Sequence, residues 1–177
     1  MSLRHCLSRS ALRVSIAAAV LAPASFAQRE CFVATLDGAQ EVPAIVTAAR
    51  GTGVVIMDRA TNTLAVTLCY TGLTGAETMA HIHGFSPAGA NSGIKFNLPP
   101  GPFKTALLSY PEADEANYLA NLAYFNIHSA GFPGGEIRGQ LVRSDSPYTY
   151  IALANGAQEV PATPSPALGV GWFRINT

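Results

Sequence analysis

Charge is scarce in this 177-residue chain: Asp, Glu, Lys and Arg make up 12% of it, and eleven basic residues balance eleven acidic ones. No stretch gathers Lys and Arg into the stripe that tracks a phosphate backbone, which argues against a nucleic-acid partner. After Ala27 no apolar run approaches the ~20 residues that a helical membrane span needs. Two catalytic signatures are missing as well, the Gly-x-Ser-x-Gly elbow and the glycine-rich phosphate loop. Histidine and cysteine are few, four and three in all, so their positions carry weight.

What is present starts with Arg4, Arg9 and Arg13, an apolar run over residues 14–22, and Ser25-Phe26-Ala27. These are the basic, apolar and small-x-small parts of a secretory signal. Residues 1–27 are therefore expected to be removed on export, leaving a secreted or periplasmic chain in which eight basic residues face eleven acidic ones. Cys6 leaves with the signal, and an oxidising compartment favours a disulfide between the remaining pair, Cys31 and Cys69. Both lie on the opposite parity to the apolar sets Phe32, Ala34, Leu36 and Leu64, Val66, Leu68, Tyr70. The alternative is two thiols on strands that are not neighbours.

Short alternating segments predict strands near 31–37, 51–58, 63–70, 78–83, 93–98, 103–109, 122–128, 135–142, 148–154 and 169–176, with turn chemistry between them. Only "PEADEANYLANL" (111–122) reads as a helix, from Pro111 and the acidic first turn. The fold class expected is all-β, a Greek-key β-sandwich or barrel with one short helix.

One internal repeat sets the domain division. Residues 32–59 align without a gap on residues 150–177, sharing "GAQEVPA" and the glycine pairs Gly51/Gly53 and Gly169/Gly171. Residues 28–147 then form one domain, and residues 148–177 hold an incomplete second repeat of two strands. Two strands cannot bury their own apolar face, so they pack on the first domain or mediate self-association, or the chain is a piece of a longer tandem protein.

Three blocks, "LDGAQEVPA", "AHIHG" and "YFNIHSAGFPGGEIRGQL", occur in the order in which similar blocks mark the CHRD domain, the module first described in chordin. The resemblance spans roughly residues 31–143 and is strongest in the closing block. It implies an all-β module, immunoglobulin-like or similar to the copper/zinc superoxide dismutase barrel, in an exported bacterial protein. In animals the parent protein of the module binds growth factors, a role not carried over to this chain.

In "AHIHG" strand parity puts His81 and His83 on one face with Met79, and Ala80 and Ile82 on the core face. In "YFNIH" it sends Phe125 and Ile127 inward and leaves Tyr124, Asn126 and His128 outside. Three imidazoles suit copper or zinc. The His-x-His pair with a later histidine also resembles the copper side of copper/zinc superoxide dismutase, although too few histidines remain for the full ligand set, so dismutase activity is not expected. Glu136 is the candidate fourth ligand, and otherwise a water would fill that position. Glu136 and Arg138 share a face, where they form an ion pair or bind an anionic ligand. Glu41 caps backbone amides or acts as a ligand. The bland alternative is that the histidines hold loop carbonyls beside "GFPGG". Two functions follow: a binding module with a copper or zinc site at His81, His83 and His128, or a metal-free module for a protein or matrix partner that assembles through residues 150–177.

Overall fold

A computed structural model describes residues 29–144 and 149–175. The expected signal, residues 1–27, lies outside the described residues, as does the expected boundary at 147/148. Three antiparallel sheets organise the described chain. The five-stranded sheet contains β1 (Arg29–Leu36), β2 (Arg50–Asp58), β3 (Thr63–Thr71), β6 (Phe103–Ser109) and β9 (Val142–Arg143), in the order β6-β3-β2-β1-β9. The four-stranded sheet contains β4 (Glu77–His83), β5 (Ile94–Asn97), β7 (Tyr124–Ser129) and β8 (Ile137–Gln140), in the order β5-β4-β7-β8. A separate hairpin joins β10 (Thr149–Asn155) to β11 (Leu168–Arg174). No helix among the described residues is long and apolar enough to cross a membrane.

Period-2 alternation builds the core. Phe32, Ala34 and Leu36 of β1, Val55 and Met57 of β2, and Leu64, Val66 and Leu68 of β3 meet Ala80, Ile82, Phe125, Ile127 and Ile137 of the other sheet in one cluster. The two sheets are therefore packed face to face, and each fully buried Leu, Ile or Phe contributes roughly 1.5–3 kcal/mol. Gly53 makes the close approach feasible, because a Cβ there would lie 2.5 Å from a ring carbon of Phe125.

The structure differs from the sequence reading in three places. The expected helix over 111–122 contracts to α1 (Glu115–Leu119) after a 3₁₀ turn at Glu112–Asp114, and Asn121 at φ 61° turns the chain away. The expected strand 135–142 is two strands on different sheets, and buried Leu141 marks the crossing point. The expected Cys31–Cys69 disulfide is not formed: both thiols are free. Cys31 is opposite Ile56 and Cys69 opposite Thr52 on β2, so a whole strand separates them. Two strand spacings amount to roughly 9–10 Å, beyond the ~7 Å Cα limit for a bridge.

The β10–β11 hairpin repeats the register of β1–β2. Tyr150 is opposite Phe173 and Ala154 opposite Gly169, as Phe32 is opposite Val55 and Leu36 opposite Gly51. Both hairpins also contain a 3₁₀ turn, Gly38–Gln40 and Gly156–Gln158, whose first backbone amide donors are met by the side chains of Asp37 and Asn155. Ile45 N–H donates to the Gly38 carbonyl at 2.7 Å and Thr163 N–H to that of Gly156 at 2.9 Å. The hairpin lies against β2 and β3 through β11. Tyr150, Ile151, Leu153 and Phe173 remain exposed on it.

Candidate metal centre

The outer face of the four-stranded sheet is polar in sequence yet buried in space. Cross-strand rows place His81 beside Asn126 and Arg138, His83 beside Tyr124 and Gln140, and Met79 beside His128. Parity thus delivers the expected outward set. Burial comes from three segments laid across it. The loop after β4 brings Ser92 to His83, the turn after β7 brings Pro133 to His128, and the segment after β1 brings Glu41 to Asn126. His81, His83 and His128 end up 3%, 9% and 6% exposed.

The three imidazoles converge. One candidate donor atom from each ring lies within 4.8 Å of the others. Nδ1 of His83 is 2.9 Å from the Ser92 carbonyl, and Nδ1 of His128 is 2.8 Å from the Pro133 carbonyl. A carbonyl only accepts, so each Nδ1 carries the hydrogen and each neutral ring keeps its lone pair on Nε2. Nε2 of His128 faces Nδ1 of His81 at 3.1 Å. Nε2 of His83 is buried with no hydrogen-bond partner. Burial first, and then the two neighbouring rings, push His81 down to about 4. Burial also lowers His83, against the opposing pull of the Ser92 carbonyl. Burial thus favours the neutral form of His81 and His83. His83 and His128 have their Nδ1–H fixed on carbonyls and Nε2 left as acceptor, the form in which histidine binds a metal, and His128 Nε2 accepts from His81 Nδ1–H.

Aromatic stacking fixes the site from the side. The Tyr124 ring lies 5.0 Å from that of His83, with 10° between their planes. The Arg138 guanidinium sits 3.5 Å from the centroid of the Tyr124 ring. Arg138 donates to the Ala90 carbonyl and to Asn91 Oδ1, which ties the loop after β4 to the sheet.

Two expectations about the carboxylates are corrected. Glu136 is fully buried, but its oxygens accept from Thr47 Oγ1, Thr74 N–H and Oγ1, and Ser129 Oγ. Burial would raise its pKa, and these donors outweigh that and hold it below the usual carboxylate range. Saturated in this way, and outside the cluster of converging donors, Glu136 is not placed as a fourth ligand. Nor does it pair with Arg138, whose fork is directed at Ala90, Asn91 and Gln140. Glu41 is 6% exposed and caps no amide with its side chain: Oε2 accepts from Asn126 Nδ2 at 3.3 Å, and Oε1 has no partner. Burial raises it to about 7, opposed by Asn126 and by the charge of Arg138.

Sequence reasoning did not single out Tyr124 and Asn126, although their parity with His128 was the available signal. It also missed a buried ion pair between Lys104 and Glu77, with Tyr70 donating to the same carboxylate. A bulge between Glu77 and Met79 breaks the alternation that would have grouped Glu77 with the histidines.

The three converging imidazoles are a partial set, short of a full dismutase ligand shell. Comparison with known proteins gives one match: the model of the family described as CHRD domain fits residues 32–141. No curated protein matches the chain. No solved structure matches it either.

Proposed function

Since the chain belongs to the CHRD domain family, we propose that it is an exported binding module of that family which holds copper or zinc on His81, His83 and His128. The observation that carries this reading is the buried, unpartnered Nε2 of His83 beside two further imidazole donors, all within 4.8 Å. An unpaired buried acceptor is costly unless something occupies it, and a metal ion of imidazole-preferring type is a fitting occupant. Bound there, copper would supply redox chemistry and zinc Lewis acidity. The chain's own residues orient the donors: Ser92 and Pro133 fix the tautomers, and Tyr124 with Arg138 fixes the plane of His83.

Further parts of the reading are proposals of the same standing. The sandwich is a Greek-key fold of the immunoglobulin-like or superoxide dismutase-like type, spanning residues 28–147, and residues 148–177 begin a second repeat. Residues 1–27 direct export. Calorimetry with elemental analysis tests the metal site: the purified chain takes up one copper or zinc ion, and His81→Ala/His83→Ala abolishes uptake. Absence of stoichiometric binding in the parent chain would instead make the histidines supports for the loops.

A second reading is favoured by the exposed apolar residues of β10–β11, Tyr150, Ile151, Leu153 and Phe173. They suit a protein or matrix partner, or a second copy of the chain. Sedimentation across a range of concentrations tests self-association.

A further inference from the structure

We propose that Met79 is a fourth donor of the histidine site and makes it selective for copper(I). This assignment rests on the three-histidine site proposed above.

Strand register places Met79 directly opposite His128 on β7, and it precedes His81 by two residues on the same face of β4. Residues opposite one another across an antiparallel pair have Cβ atoms roughly 4.5–5.5 Å apart, well within the reach of a side chain with three rotatable bonds. Met79 is 49% exposed while the three imidazoles are buried. It lines an open cavity of about 220 Å³ together with His81, Asn97 and Leu98.

The other donors nearby are committed or placed elsewhere. Glu136 is saturated by Thr47, Thr74 and Ser129, Glu41 lies outside the group of converging donors, and Cys31 and Cys69 belong to the opposite sheet. A donor set of imidazoles and one thioether, with no carboxylate, has the soft character that copper(I) prefers, whereas zinc draws little from a thioether.

The test is a pair of titrations on the full purified chain. Copper(I), kept reduced by ascorbate under argon, is competed against bicinchoninate, and zinc(II) is measured in parallel. Both are done on the parent chain, Met79→Leu and His81→Ala/His83→Ala. The leucine conserves volume at a half-exposed position, so the fold is not at stake. The expected result is that Met79→Leu weakens copper(I) binding about tenfold or more while zinc affinity stays within about twofold. X-ray absorption of the copper(I)-loaded parent chain then shows a sulfur scatterer that the leucine variant lacks. If Met79→Leu leaves copper(I) affinity unchanged, or lowers both metals equally, while the double histidine variant loses them, Met79 is not a donor and the three-histidine site stands. If the parent chain binds neither metal, both proposals fall.

Discussion

Glu41 and Glu136 show how the same side chain acquires opposite linkage to pH. Glu136 is held below its usual range by its donors, so its contribution is fully present above the ordinary carboxylate pKa and is lost as pH falls through the lowered value. Glu41 is raised to about 7. The native state then binds more protons than the unfolded state between about 4.5 and 7, so this residue makes stability fall as pH rises through that window, by about 1–3 kcal/mol. Glu41→Gln removes the slope. Its amide also offers a donor where Glu41 Oε1 and Asn126 Oδ1 both lack partners. Urea melts at pH 5 and pH 8 should show the variant less pH-dependent and more stable than the parent at pH 8. A parent chain with equal midpoints at both pH values would remove the basis for this effect.

Single glycines and single ion pairs decide how the elements meet. Gly53 and Gly171 occupy matching places in the two hairpins, yet an added Cβ would strike Phe125 at the first and meet nothing within 4 Å at the second. Gly53→Ala is expected to destabilise by roughly 1–3 kcal/mol through overpacking, and Gly171→Ala to change stability by less than about 0.5 kcal/mol, as read from denaturant midpoints. Lys104 is 1% exposed, paired with Glu77 and donating to the carbonyls of Pro99 and Gly101. Lys104→Ala leaves the Glu77 charge under-compensated and should cost about 3–5 kcal/mol, measured the same way.

Much at this scale was readable in advance. Alternation placed the strands and the outward histidines because a period of two survives in β1, β3 and β7. It failed where the period breaks: at the bulge that turns Glu77 away from the histidine face, at Leu141 where one apolar run serves two sheets, and at Asn121 where a positive φ ends the helix early. The pairing of Cys31 with Cys69 depended on strand order, which periodicity does not contain. Glu136 was expected inside a strand over 135–142 but lies in the bend just before β8, and its partners Thr47 and Thr74 come from distant loops that no local pattern announces.

For the molecule as a whole, the core and the candidate site lie within one unit. All residues of the hydrophobic cluster fall between Phe32 and Leu141, the span matched by the family. A chain ended after Ser144 should therefore melt within about 4 °C of the full chain and keep its metal uptake, as calorimetry and titration would show. A larger fall would mean that β11 supports the outer surface of β2 and β3.

The block "GAQEVPA" occurs twice with the same turn, but Glu41 of the first copy is buried under the loops while Glu159 of the second is exposed. Identical letters are thus part of a polar chamber in one place and a solvent-facing bend in the other. In proteins carrying this block many times over, the number of chambers would follow the copies of the paired histidine strands, and a census of the block alone would overcount them.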